Sequence, residues 1–139
     1  MPILNLVVST HTDPGRSTHI ATRLSALTAE HARKDPLVAK IAVHDVAPEH
    51  WFAGDRSLSE SDEASFWLHI KVADSTNTNA HMADYVRALS GEMSALLSAP
   101  LHDESYILMH KAPGAAYGFD GVTQEHRFIA GRLQETAHA

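Results

Sequence analysis

The sequence predicts an α+β fold in which duplicated β-α-β units form a four-stranded sheet with two helices on one face. Three observations predict it. Apolar residues alternate in four short β-prone stretches, and between the first and second, and again between the third and fourth, they recur at three- and four-residue spacing. The two halves carry matching marks in the same order: Pro36-Leu37 and Pro100-Leu101, Ala47-Pro48 and Ala112-Pro113, Trp51 and Tyr117. Finally, 139 residues of which 44% are hydrophobic can bury one sizeable core. The expected organisation is a single domain over residues 1–139, with pseudo-repeats at about 2–55 and 65–121 and a C-terminal extension at 122–139.

The first stretch, Pro2-Ile3-Leu4-Asn5-Leu6-Val7-Val8, reads as a strand, and proline suits its first position because no ladder N–H is required there. Asp13-Pro14 then supplies an N-cap and a first helical residue. Ile20, Leu24, Leu27 and His31 share one face of the helix that follows, and Pro36 stops it. Leu37 to Val46 reads as the second strand, with Lys40, Ala42 and His44 opposite Ile41 and Val43. Residues 48–62 form a connection or short hairpin whose end, Ser57 to Glu63, is expected to be an exposed loop.

Phe66 to Val72 is the third strand, its apolar face alternating with Trp67, His69 and Lys71. Asn77 to Asn79 caps a helix bearing Met82, Tyr85, Leu89, Met93 and Leu96, which ends before Pro100. Ser105 to His110 is the fourth strand, followed by a turn-rich segment and a helical element from about Thr123 to Leu133. A crossover helix makes the two strands of each unit parallel neighbours and places both helices on one face of the sheet. The other face carries Lys40, His44, Trp67, His69, Lys71, Tyr106 and His110. It is too apolar to stay bare and too polar for a dry core, which implies subunits packed around a partly wet centre.

Composition excludes several classes. A net charge of −6 gives no electrostatic support to nucleic-acid binding. The absence of cysteine rules out disulfides and thiolate metal sites. No apolar run spans a bilayer and the first residues lack a basic n-region, so a cytoplasmic protein without membrane partners is expected. His44, His69 and His110 could cluster in an assembly, but no metal-ligand spacing supports a site, and no metal is expected.

A Met-Pro-Ile start on a β-α-β unit resembles the tautomerase superfamily, the group containing oxalocrotonate tautomerase, carboxymethyl-hydroxymuconate isomerase and macrophage migration inhibitory factor. Pro36-Leu37 begins the second strand as in the short tautomerases. Lys40 stands where such enzymes place a cationic substrate-binding residue, usually Arg. Ala47-Pro48-Glu49-His50-Trp51 resembles the segment ending in the family's active-site aromatic, and Tyr117-Gly118-Phe119-Asp120-Gly121 its late aromatic-glycine hairpin, with Asp120 replacing a glycine. The chain departs from the pattern near Thr12, where oxalocrotonate tautomerase has a second Arg. It departs again in the second unit, where Phe66 replaces the proline and Glu104 or Ser105 replaces Lys40.

What the resemblance implies is a cofactor-independent tautomerase or isomerase and a homotrimer with one site per chain. After removal of Met1, Pro2 would be a secondary amine that shuttles a proton on a small enol or unsaturated keto acid. Burial disfavours the ammonium form and brings such an amine toward neutrality. The expected site residues are Pro2 as the catalytic group and Lys40, Trp51, Tyr106, Tyr117 and Arg127 for the carboxylate-bearing substrate, with Arg16 a further possible helper. Other expectations are a superfamily dehalogenase, hydratase or decarboxylase, a non-enzymatic trimeric binding module, and a ferredoxin-like dimer that needs no terminal proline.

Overall fold

Residues 2–9, 14–32, 39–73, 79–97 and 99–137 are described by a computed structural model. Four strands form one mixed sheet: β1 (Ile3–Val8), β2 (Lys40–Asp45), β5 (Phe66–Ala73) and β6 (Tyr106–Ala112), in the order β2-β1-β5-β6. Strand β1 runs parallel to β2 and β5 parallel to β6, while β1 and β5 meet antiparallel at the centre. The crossovers are α1 (Pro14–Ala32) and α3 (Asn79–Leu96). The Asp13 cap, the Pro36-Leu37 strand start and the first cap residue Asn77 lie outside the described residues.

Period-two alternation decides which face is buried. Leu4, Leu6 and Val8 of β1 and Phe66, Leu68, Ile70 and Val72 of β5 are at most 4% exposed. They pack beneath Ile20 and Leu24 of α1 and Tyr85, Leu89 and Met93 of α3. Each large side chain so buried contributes roughly 1.5–3 kcal/mol. A polar contact sits within this layer: Thr28 and Tyr85 share a buried hydrogen bond, and Thr28 Oγ1 also donates to Leu24 O at 2.7 Å.

The uncovered face falls into cross-strand rows fixed by the register. Lys40, Ile3, Lys71 and His110 make the first row. Ala42, Asn5, His69 and Leu108 make the second, and His44, Val7, Trp67 and Tyr106 the third. No carboxylate occurs in these rows.

Each unit ends in the same device. A single 3-10 turn (Pro48–His50, Gly114–Ala116) leads into a two-residue hairpin and then a helix. The hairpins pair β3 (Phe52–Ala53) with β4 (Arg56–Ser57) and β7 (Gly118–Phe119) with β8 (Val122–Thr123). The helices are α2 (Leu58–Ser61) and α4 (Gln124–Ala137). His50 N–H donates to Ala47 O and Ala116 N–H to Pro113 O, both at 2.8 Å. Leu58 N–H donates to Trp51 O and Gln124 N–H to Tyr117 O, both at 2.9 Å. Gly54 (φ 66°) and Asp120 (φ 54°) take the same left-handed turn position. Trp51 and Tyr117 thus correspond as the sequence predicts, whereas Ala47 matches Pro113 rather than Ala112.

The register makes one further correction. Ile3 lies opposite Lys40, and Trp67 opposite Tyr106. Phe66 therefore matches Pro2 as expected, but the counterpart of Lys40 is Tyr106, not Glu104 or Ser105. The expected loop over residues 57–63 is also different, because Leu58 is 1% exposed and anchors α2.

Candidate active site

Pro2 is buried at the head of β1, an inner strand. Its carbonyl accepts the Lys40 N–H at 3.2 Å, which holds the start of β2 against it. The row beside it places the exposed side chains of Lys40 and Lys71 on the two flanks of Ile3. His110 lies beyond Lys71, its ring stacked on His69 at a centroid separation of 6.0 Å.

The status of the cations singles out this end of the sheet. Arg23, Arg56 and Arg87 are ion-paired. Arg16, Lys111 and Arg127 donate to oxygen atoms, and Arg132 lies over the Phe128 ring. Among the described residues, Lys40 and Lys71 are the Lys or Arg side chains without a hydrogen bond or ion pair. Removing both charges from pairing partners leaves them free to bind an anion.

Tyr117 and Arg127 follow β6, whose last residues pair with the end of β5 that flanks Ile3. They therefore lie toward the Pro2 end, on the edge strand. The Arg127 guanidinium sits 3.8 Å from the Phe119 ring centroid and donates to Phe119 O at 3.0 Å. Its Nε is buried without a hydrogen-bond partner among the described residues. Burial pushes the Tyr117 hydroxyl above its ordinary pKa, an effect partly offset by its hydrogen bond with Gln124. Tyr117 stays protonated at neutral pH and retains a donor.

Trp51 and Tyr106 lie elsewhere. Trp51 packs on Trp67, with ring centroids 4.8 Å apart, and Trp67 pairs with both Val7 and Tyr106. Four residues separate Ile3 from Val7, roughly 13 Å along a strand. Within one protomer these two aromatic residues are at the end of the sheet away from Pro2. Arg16 is there as well, donating to Leu96 O at 3.1 Å and lining a cavity of about 340 Å³ with Ser9, Glu49, Leu58 and Asp62. Among the described residues, no three His, Cys, Asp or Glu side chains gather as a metal site would require.

Lys71 is the residue that sequence reasoning did not single out for the site. Alternation placed it on the correct face, but only the antiparallel register of β5 with β1 brings it beside Pro2.

Two β-α-β units, parallel within themselves and antiparallel to each other, with both helices on one face, make this the fold of the tautomerase superfamily. A fused 4-OT solved as an asymmetric trimer superposes with a TM-score of 0.77 at 15% identity, over 90% of this chain and 98% of its own. Pt0534 inactivated by 2-oxo-3-pentynoate gives 0.76 at 11% identity over 90% and 98%. A macrophage migration inhibitory factor homologue from Prochlorococcus marinus gives 0.69 at 18% identity over 87% and 97%. No family model and no curated protein matches the sequence. Among the described residues, no helix is long and apolar enough to cross a membrane.

Proposed function

We propose that this chain is a tautomerase that uses Pro2, freed as a secondary amine by removal of Met1, to move a proton between carbons of a small enol or unsaturated keto acid. The observation that carries this reading is a buried proline at the head of an inner strand, tied to Lys40 through its own carbonyl. Desolvation at that position disfavours the ammonium form, so the amine is neutral at working pH. The unpaired Lys40 binds the substrate carboxylate as a point charge. Pro2 nitrogen takes a proton from the enol or the α-carbon, and the electron pair moves into the conjugated system. The resulting pyrrolidinium then returns that proton to a different carbon. Negative charge developing on the enolate oxygen is offset by the nearby cations. Pt0534, which shares the fold, is inactivated by a 2-oxo acid, the substrate class proposed here.

The test has two parts. Mass spectrometry of the purified protein should show the N-terminus at Pro2. The rate of phenylenolpyruvate ketonisation should then fall about 100-fold or more in Pro2→Ala, the scale of a lost acid–base group, with circular dichroism unchanged. Equal rates in the folded variant would place any activity elsewhere on the molecule.

A further inference from the structure

We infer that Lys71 is a second anion-binding residue of the Pro2 site, so that the site selects ligands carrying two carboxylates. The inference deepens the proposed function by assigning a substrate class to the same site.

Lys71 and Lys40 face each other across β1, both opposite Ile3 and both on the uncovered face of the sheet. Two strand spacings separate their backbones, about 10 Å. Each flexible lysine stem can lean toward the strand between them, so two anionic groups on one short carbon chain can be engaged together. Neither ammonium has an ion pair or hydrogen bond among the described residues, although the chain as a whole carries excess acid. The uncovered rows contain no carboxylate to neutralise either lysine. His110, opposite Lys71, and its stacking partner His69 bring no negative charge. Two unpaired like charges on neighbouring strands repel one another, and a bound dianion removes that repulsion. A monoanion held at Lys40 leaves Lys71 uncompensated.

The test is equilibrium binding by titration calorimetry, using the full chain and two saturated six-carbon probes. Adipate carries a carboxylate at each end and hexanoate at one only. The wild-type protein should bind adipate at least tenfold more tightly than hexanoate. Lys71→Met should abolish that preference while leaving hexanoate affinity within twofold, and Lys71→Arg should keep it. Equal affinity for the two probes in the wild type would overturn the inference. So would an adipate preference that survives in Lys71→Met. Because these probes undergo no reaction, the result is separate from the Pro2→Ala rate comparison: loss of one reading leaves the other measurable. Matching thermal melts for Lys71→Met and Lys71→Arg verify that the exposed substitutions leave the fold intact.

Discussion

Tyr85 shows how one side chain can serve the core and report on it. Burial pushes its hydroxyl up to about 12, an effect partly offset by the hydrogen bond it shares with Thr28. A pKa raised above the unfolded value of 10 means that the folded state holds the proton more tightly. The corresponding stability is complete below pH 10 and is lost between pH 10 and pH 12. Two units correspond to about 2–3 kcal/mol. Denaturant unfolding should therefore weaken across that window in the wild type and weaken less in Tyr85→Phe; parallel pH profiles would contradict the assignment. At neutral pH the same substitution should cost about 1 kcal/mol for the lost hydrogen bond. At this scale the sequence was informative about burial and much less so about proximity. Helical spacing marked Tyr85 as a core residue, whereas nothing local to Lys71 indicates that it flanks Pro2.

The two hairpins show how elements position the candidate site. A Cβ at Gly118 would stand 2.0 Å from Val122 O and 2.6 Å from Thr123 Cα, both backbone atoms. Gly118→Ala must therefore open the β7–β8 pair, at a cost of roughly 1–3 kcal/mol. Hydrogen exchange at the Gln124 N–H, bonded to Tyr117 O, should quicken, and the Phe119 platform beneath Arg127 should loosen. Unchanged exchange would mean that the hairpin absorbs the methyl group. Strands and long helices were legible because their apolar periods extend over many residues. Helix α2 was read as a loop because its four residues offer one apolar anchor, Leu58, among serines and glutamate. The far-end placement of Trp51 and Tyr106 was hidden for a different reason. Which end of the sheet a residue occupies depends on strand direction and order, and these are set by contacts between distant parts of the chain.

At the scale of the molecule, the uncovered sheet face and α4 leave apolar surface outside. Trp67, Tyr106, Leu108 and Ile3 project from the sheet, and Phe128, Ile129 and Leu133 from the helix, all at least 38% exposed. Surface of this kind marks an interaction site. The fused 4-OT sharing this fold was solved as a trimer. We propose the same assembly here, which would bring the far end of one protomer near the Pro2 end of another. Analytical ultracentrifugation should return a trimeric mass at micromolar concentration; a monomer would remove that route for Trp51 and Tyr106 to reach the site.

The correspondence between Pro2 and Phe66 has a consequence for how such a chain can diversify. Phe66 sits mid-chain, so its nitrogen is locked in a peptide linkage and can never act as a base, whatever residue occupies the position. Joining two copies in tandem thus retires one of them from chemistry irrevocably. Freed of that duty, the retired half can extend its tail, and the contrast between a single-turn helix closing the first unit and a fourteen-residue helix closing the second records that liberty.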